Sequence, residues 1–336
     1  MVCNFYDMGY DKNMKERILE LLNQAPGEHL SGQAISKALG VSRAAVWKAV
    51  QALEQEGFAI EAITRRGYRL AKSSDRLSPG NLLPYLKRDH RASLLCFPTI
   101  SSTNDYAKTL RVPDKSRNYY LAAEEQTGGR GRRGRSFYSP AGLGLYLTGL
   151  YFPEIPPTRA SRFTAYGAVA ACRALREVCG LTAEIKWPND ILWEGKKLCG
   201  ILTEMALEGE SGVIQYMICG LGINLGQQPE DFPEEFRELA ASLRMATGTV
   251  PRRNLLCATL INALDEAYDA FLTEDPAWLE EYIRHCATLN REVVLLSGQE
   301  KIPAFAEGIS EDFGLRVRYE DGRRETVYAG EVSLRR

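Results

Sequence analysis

Two serines with a glycine between them set the strongest local constraint on what this chain can fold into. Ser31 precedes a run in which Leu30 and Ile35 stand at hydrophobic-staple spacing, and Gly40 follows Leu39 where a left-handed residue stops a helix. Ser42 opens the next run, with Val46, Val50 and Leu53 at helical spacing up to Gly57. Two capped helices separated only by Gly40-Val41 predict a helix-turn-helix. Ahead of it, Ile18, Leu21 and Leu22 share one face of a helix that Pro26-Gly27 closes. Behind it, Phe58 to Ile63 and Tyr68 to Leu70, on either side of Thr64-Arg65-Arg66-Gly67, read as a two-stranded wing. The expectation is a winged helix over residues 14–72, preceded by an aperiodic tail over 1–13.

In such a module the start of the second helix of the pair enters the major groove. Ser42, Arg43, Ala44, Trp47 and Lys48 are therefore the candidate DNA-contacting residues, with Gln33 on the helix before. Arg43 and Lys48 are of the type that reaches guanine edges or phosphates. The whole chain balances 42 basic against 43 acidic residues, so no global positive field can carry nucleic-acid binding. Within 14–72, nine basic side chains outnumber six acidic ones, which leaves a local patch as the source. A winged helix used only for protein contacts, with Trp47 in its core, remains the alternative.

The remaining sequence is too long for one domain and has the composition of a globular protein. Its longest nearly apolar run, Gly142 to Phe152, falls well short of the ~20 residues that cross a bilayer, and no export signal opens the chain, so no membrane partner is expected. The eight cysteines are dispersed in apolar stretches with no CxxC pair, and only three histidines could join them. This argues against zinc or disulfide frameworks and for small buried residues in a reducing cytoplasm; no metal ligands are expected. Lys72 to Pro79 reads as a linker into a helix capped by Ser78. Beyond it, short strands (93–97, 119–124, 143–152, near 183–187, 197–206 and 213–220) alternate with helices (103–111, 159–179, 252–272, 276–287). The class is α+β. From Arg291 onward brief strands predict a small barrel, giving expected domains at 78–287 and 288–336.

The most informative segment for chemistry is Gly128 to Arg135, four glycines and four arginines between two apolar strands. Glycine lets backbone amides approach an anion, and the guanidinium groups of Arg130, Arg132, Arg133 and Arg135 offer forked donors to carboxylate or phosphate. Flanking strands distinguish this loop from a disordered RGG-type tail. Upstream, Ser101-Ser102-Thr103-Asn104 opens a helix, which is either plain capping or a polar ligand site. Downstream, Lys186-Trp187-Pro188-Asn189-Asp190 ends a strand in a tight turn, and Gly220 to Asn224 combines glycines with a terminal amide. A lone strand lysine is ordinarily a surface residue, and glycines fit a crowded sheet as well as a ligand.

Taken in order, Ser102-Thr103-Asn104, Gln126 with Gly129 to Arg135, Lys186 to Asp190, and Gly220 to Asn224 resemble the bifunctional biotin protein ligases that also repress the biotin operon. The resemblance runs from the Ser42-Arg43-Ala44-Ala45 turn to Glu331-Val332-Ser333-Leu334-Arg335. It implies a winged helix, a ligase domain of the class II synthetase-like type and an SH3-like C-terminal barrel. It implies that biotin and ATP, with magnesium, form biotinyl-5'-adenylate, and that the biotinyl group passes to a lysine of a carboxylase carrier domain. Carried onto these positions, Ser102, Thr103, Asn104 and Gln126 hold the biotin ring. Gly129, Arg130, Gly131 and Arg132 form the ligand-ordered loop, and Lys186 approaches the carboxylate. Arg132, Arg135, Gly222 and Asn224 meet ATP. Operator DNA and a homodimer formed with adenylate bound are the implied partners.

Joining a carboxylate to an α-phosphate brings two anions together, so positive donors must offset the charge; Arg132, Arg135 and Lys186 are the expected catalytic set. No histidine lies in these motifs to deprotonate the acceptor lysine, which leaves a carboxylate such as Asp190, or solvent. Relatives place a tryptophan after the Gly220 to Asn224 motif, where this chain has Phe232 and Phe236. Two other readings remain at this level: a biotin-sensing repressor without activity, and a lipoate or octanoate ligase on the same fold.

Overall fold

Local signals fold the N-terminal module as its sequence predicts. The computed structural model describes residues 14–71, 75–209, 212–297 and 300–334; the expected tail and the first linker residues, Lys72 to Ser74, lie outside the described residues. Helices α1 (Met14–Gln24), α2 (Gly32–Leu39) and α3 (Arg43–Gln55) precede strands β1 (Ile60–Ile63) and β2 (Gly67–Leu70). Ser31 Oγ accepts from Ala34 N at 3.0 Å and Ser42 Oγ from Ala45 N at 3.1 Å, while Gly40 takes φ +67°. Each cap satisfies an orphan amide that would otherwise cost about 1 kcal/mol. Ile18, Leu19, Leu22, Ile35, Val46, Val50 and Leu53 form a core of their own. The wing is tied to the turn before α2, because Leu30 and Tyr68 exchange two backbone hydrogen bonds of 2.9 Å.

After α4 (Pro79–Leu82), capped by Ser78, come β3 (Leu94–Phe97), α5 (Thr103–Thr109), β4 (Tyr119–Ala123) and β5 (Gly144–Tyr151). The expected helix over 159–179 is two, α6 (Pro157–Ala160) and α7 (Phe163–Cys179). Next are β6 (Glu184–Lys186), β7 (Asp190–Trp193), β8 (Lys196–Glu208) and β9 (Val213–Asn224), then α8 (Leu243–Thr247), α9 (Arg253–Thr273) and α10 (Pro276–His285). The seven strands form one mixed sheet in the order β3-β4-β5-β9-β8-β7-β6, parallel only between β3 and β4. The turn predicted at Lys186 to Asp190 is the bend of a β6–β7 hairpin; β7 was not anticipated. Adjacent residues of β9 point to opposite faces of the sheet. Cys219 faces Gly167 of α7, and Gly220 faces Asn104 of α5, so the two helices cover opposite faces.

The C-terminal strands β10 (Arg291–Ser297), β11 (Glu300–Ile309), β12 (Leu315–Tyr319), β13 (Arg324–Val327) and β14 (Glu331–Leu334) form an antiparallel five-stranded sheet in the order β13-β12-β11-β10-β14. Its buried Val293, Leu295, Leu315 and Val317 belong to the same apolar cluster as the central sheet, and Trp187 Nε1 donates to Phe313 O at 2.9 Å. The winged helix joins the rest through polar contacts of α1. Glu16 accepts from Gly80 N at 2.8 Å, Asn23 donates to Asn81 Oδ1 at 2.9 Å, and Glu20 pairs with Arg91 at 2.6 Å. Among the described residues no helix is long and apolar enough to cross a membrane.

Candidate active site and nucleic-acid surface

A cavity opens on the α5 face of the central sheet, over β8 and β9. It is lined by Ser102, Thr103, Asn104, Gln126, Arg130, Gly131, Arg132, Phe137, Asn189, Lys197, Gly200, Ile201, Leu202 and Gly220 to Gly222. One end is uncharged and polar. Ser102 caps α5, its Oγ accepting from Asp105 N at 3.3 Å, which sets Thr103 and Asn104 on the first turn. Gln126 Oε1 receives Thr103 N at 2.8 Å and Thr103 Oγ1 at 3.0 Å, so Gln126 is locked to the helix start. Glycines make room for these side chains. A Cβ on Gly220 would sit 2.0 Å from Asn104 Oδ1, and one on Gly222 would sit 2.5 Å from the Phe137 ring.

The Gly128 to Arg135 loop folds back on itself at the other end. Phe137 N donates to Gly129 O at 2.9 Å and Gly131 N to Arg135 O at 2.7 Å, with Arg133 and Gly134 at positive φ. A side chain at Gly129 would strike Phe137 O and Ser139 Oγ, each at 2.4 Å, so this glycine serves the loop's closure. Arg132 turns inward and donates to Asn189 Oδ1 at 2.9 Å. Burial, with Arg133 adding like charge, pushes its guanidinium below the ordinary arginine range, the setting in which an anionic ligand is most welcome. Arg130 pairs with Asp105 at the rim.

The structure brings Lys197, in place of Lys186, to this cavity. Lys197 Nζ lies 2.7 Å from Asp190 Oδ1 and 6.0 Å from the centre of the Phe137 ring, and a Cβ on Gly200 would come within 3.0 Å of it. Lys186 stands on β6, the outermost strand, two strands from β8, and does not line the cavity. It lies instead near Glu331 of β14, which Arg135 also grips with an Nη2–Oε2 hydrogen bond of 2.8 Å. Burial works against the Glu331 charge, but hydrogen bonds from Arg135 and the charges of Arg135, Arg133 and Lys186 together hold its carboxyl below the ordinary glutamate range. Arg135 thus faces the C-terminal sheet. Asn224 is also turned away from the cavity: it donates to Ala241 O at 3.0 Å and accepts from Gln227 at 3.2 Å, tying down the segment after β9. Phe232 is buried, and the aromatic ring in the cavity is Phe137. Sequence reasoning missed Phe137 and Lys197.

A second hollow shares Arg132, Ile201 and Leu202 with the first and runs beneath the C-terminal sheet past Arg162, Trp187, Asp312 and Tyr328. No group of three or more His, Cys, Asp and Glu side chains suited to a metal ion occurs among the described residues. In the winged helix, Ser42 is the cap of α3, and Arg43, Ala44, Trp47 and Lys48 are exposed, as is Gln33 on α2. Trp47 is 55% exposed, so it is no part of the module's core.

Comparison with known proteins agrees with this layout. Residues 96–224 match the Biotin/lipoate A/B protein ligase family, 15–69 an HTH domain and 288–335 the Biotin protein ligase C terminal domain. Among solved structures, a biotin protein ligase from Aquifex aeolicus in complex with biotin and ATP superposes with a TM-score of 0.61 at 29% identity, covering 73% of this chain and 99% of that one. The bifunctional ligase/repressor BirA of Bacillus subtilis is 38% identical over 77% of this chain and 80% of its own length. The Escherichia coli bifunctional ligase/repressor BirA is 31% identical over 97% of this chain and 98% of its own. With identity of this level along nearly the whole length of both partners, the chain belongs to the bifunctional ligase/repressor BirA family.

Proposed function

We propose that the cavity over β8 and β9 activates biotin with ATP, and that the winged helix uses the same molecule to repress biotin genes. The observation that carries the reading is the convergence of Arg132 and Lys197 on a cavity whose far end is an uncharged array of Ser102, Thr103, Asn104 and Gln126. The polar array takes the neutral ureido ring, which leaves the valeryl carboxylate directed toward the two cations. A carboxylate oxygen attacks the α-phosphorus of ATP, supplied with its magnesium, and pyrophosphate leaves. Arg132 and Lys197 offset the charge that builds at five-coordinate phosphorus, with no nucleophilic side chain required. The ε-amine of a carrier-domain lysine then attacks the acyl carbon and AMP leaves; we assign the amine's proton to Asp190, whose Oδ1 lies 2.7 Å from Lys197 Nζ.

Arg135 and Lys186 meet Glu331 where the Gly128 to Arg135 loop joins the C-terminal sheet, outside the cavity, and we assign the two cations to the nucleotide's phosphates rather than to biotin. Residues 14–72 serve operator DNA, 78–287 carry the reaction, and 288–336 brace the loop. For the homodimer, the support is the outer edge of β8 from Thr203 to Leu207, which pairs with no other strand among the described residues. Its pairing with β7 ends at Asp190–Gly200, and Met205 and Leu207 are exposed. The deciding experiment measures pyrophosphate release and carrier labelling with biotin, ATP and a biotin carboxyl carrier domain, with octanoate in place of biotin as control. Release with octanoate alone, or biotin binding without ATP consumption, would overturn the ligase reading.

A further inference from the structure

The hydroxyls and amides at the uncharged end of the cavity have fixed donor and acceptor roles, and a carboxylate outside the cavity fixes them. Asn104 Nδ2 donates to Glu204 Oε2 at 3.0 Å and to Leu202 O at 3.4 Å. The other oxygen, Glu204 Oε1, takes Lys108 Nζ at 2.8 Å. An ionised carboxylate only accepts, so the Asn104 amide nitrogen must face Glu204 and its carbonyl must face Thr148. Thr148 is fully buried, with Oγ1 2.7 Å from Asn104 Oδ1 and 2.8 Å from Thr103 Oγ1. The amide oxygen has no proton to offer, so the single Thr148 proton lies on that side. The Thr103 proton is then spent inward as well, on Thr148 or on Gln126 Oε1 at 3.0 Å.

Two acceptors are left for a ligand, Asn104 Oδ1, which lies against Gly220 of the cavity wall, and Thr103 Oγ1. Ser102 is the opposite case. Its Oγ accepts from Asp105 N, so its proton remains to donate. Two acceptors beside one donor complement a cyclic urea, which flanks one carbonyl with two N–H groups.

We infer that Glu204, with Lys108 behind it, is a positioning residue that makes the site select for ureido N–H groups by holding the Asn104 amide one way round. The inference rests on the biotin reading above. A glutamine at 204 presents either end of an amide, so Asn104 is free to turn over and set its own N–H groups against those of the ligand. A buried N–H left without an acceptor typically lowers affinity about tenfold or more.

The test compares Glu204→Gln and Glu204→Ala with the unaltered protein by calorimetric binding of biotin and of its two cyclic carbamate analogues, in which ring oxygen replaces one or the other ureido N–H. Thermal unfolding and the KM for ATP are followed alongside. The unaltered chain is expected to prefer biotin over at least one carbamate by about tenfold or more, and both variants to lose most of that preference through weaker biotin binding, with the KM for ATP unchanged within about twofold. A merely structural role would weaken biotin and carbamates alike and leave the ratio intact. That result, or unchanged biotin affinity in both variants, overturns the inference. Failure of the unaltered chain to bind biotin would strike the ligase reading instead.

Discussion

Lys197 reaches the cavity through an irregularity of its own strand. Opposite β7, Leu192 pairs with Lys197 but Ile191 pairs with Cys199, so Leu198 is an extra residue in β8. Such a bulge reverses the alternation of side chains beyond it, which sets Lys197 on the same face as Gly200 and leaves room for its ammonium. Strict alternation would have placed the two on opposite faces. Replacement of Lys197 by alanine is therefore expected to slow adenylate formation by about 10²–10³-fold, the usual loss for one preorganised donor. Lys186→Ala should cost less than about tenfold at saturating ATP. Single-turnover pyrophosphate release distinguishes them, and a larger loss at Lys186 would return the role to that residue. The same bulge explains why the motif Lys186-Trp187-Pro188-Asn189-Asp190 was legible while its functional neighbour was not. A motif advertises the turn, but the lysine that serves the cavity lies one strand further on, and nothing in Gly195-Lys196-Lys197-Leu198 signals an inserted residue. Ser102, Thr103 and Asn104 were legible as the capped start of a helix, whose first-turn side chains are placed by local rules alone, whereas Gln126 comes from beyond β4 and was named only through the resemblance.

Helix caps and strand edges decide the next scale. The winged helix could be read almost residue by residue, since Ser31, Gly40 and Ser42 act on amides within a few positions of themselves. β7 escaped because four residues following a proline turn carry no period long enough to distinguish a strand from a loop, and its pairing depends on β8, which comes later in the chain. The exposed edge of β8 could not be read either, because it exists only by the difference in length between two paired strands. An edge bearing Met205 and Leu207 that no other described strand pairs is a ready template for a second strand. If it is the dimer surface, Leu207→Arg should leave adenylate formation within about twofold while abolishing, in sedimentation velocity, the dimer that the unaltered chain is expected to form with biotin and ATP. Operator affinity at fixed concentration should fall with it, since two winged helices bind a palindrome far better than one. A variant that still dimerises would exclude this edge.

For the molecule as a whole, the question is how a DNA-binding module is held against an enzyme. The joint is polar: α1 presents Glu16 to the Gly80 amide and Glu20 to Arg91, and the neighbouring His90 is anchored on buried Asp265 at 2.7 Å. Glu16 is the strained member. Burial raises its carboxyl above the ordinary value of 4.5, more than the Gly80 and Ser78 hydrogen bonds and Lys15 lower it. A raised carboxyl binds its proton more tightly in the folded chain than in the unfolded one, so the contribution of this group to stability declines as pH rises from about 4.5 through its folded value and is level above it. Glu16→Gln, which keeps an oxygen for Gly80 N–H but never ionises, removes that dependence. The difference in melting temperature, variant minus unaltered protein, is expected to grow as pH rises from 4.5 and to flatten once the pH passes the raised folded value. Thermal unfolding of both proteins between pH 4.5 and 7.5 measures it, and a difference that does not change with pH would show that the Glu16 charge is not paid for at this joint. Should the rise be seen, the same pair of proteins tests whether the joint transmits ligand occupancy. A charge kept at a cost to stability favours a contact that can open, so operator affinity in the glutamine variant should respond less to biotin plus ATP than it does in the unaltered chain.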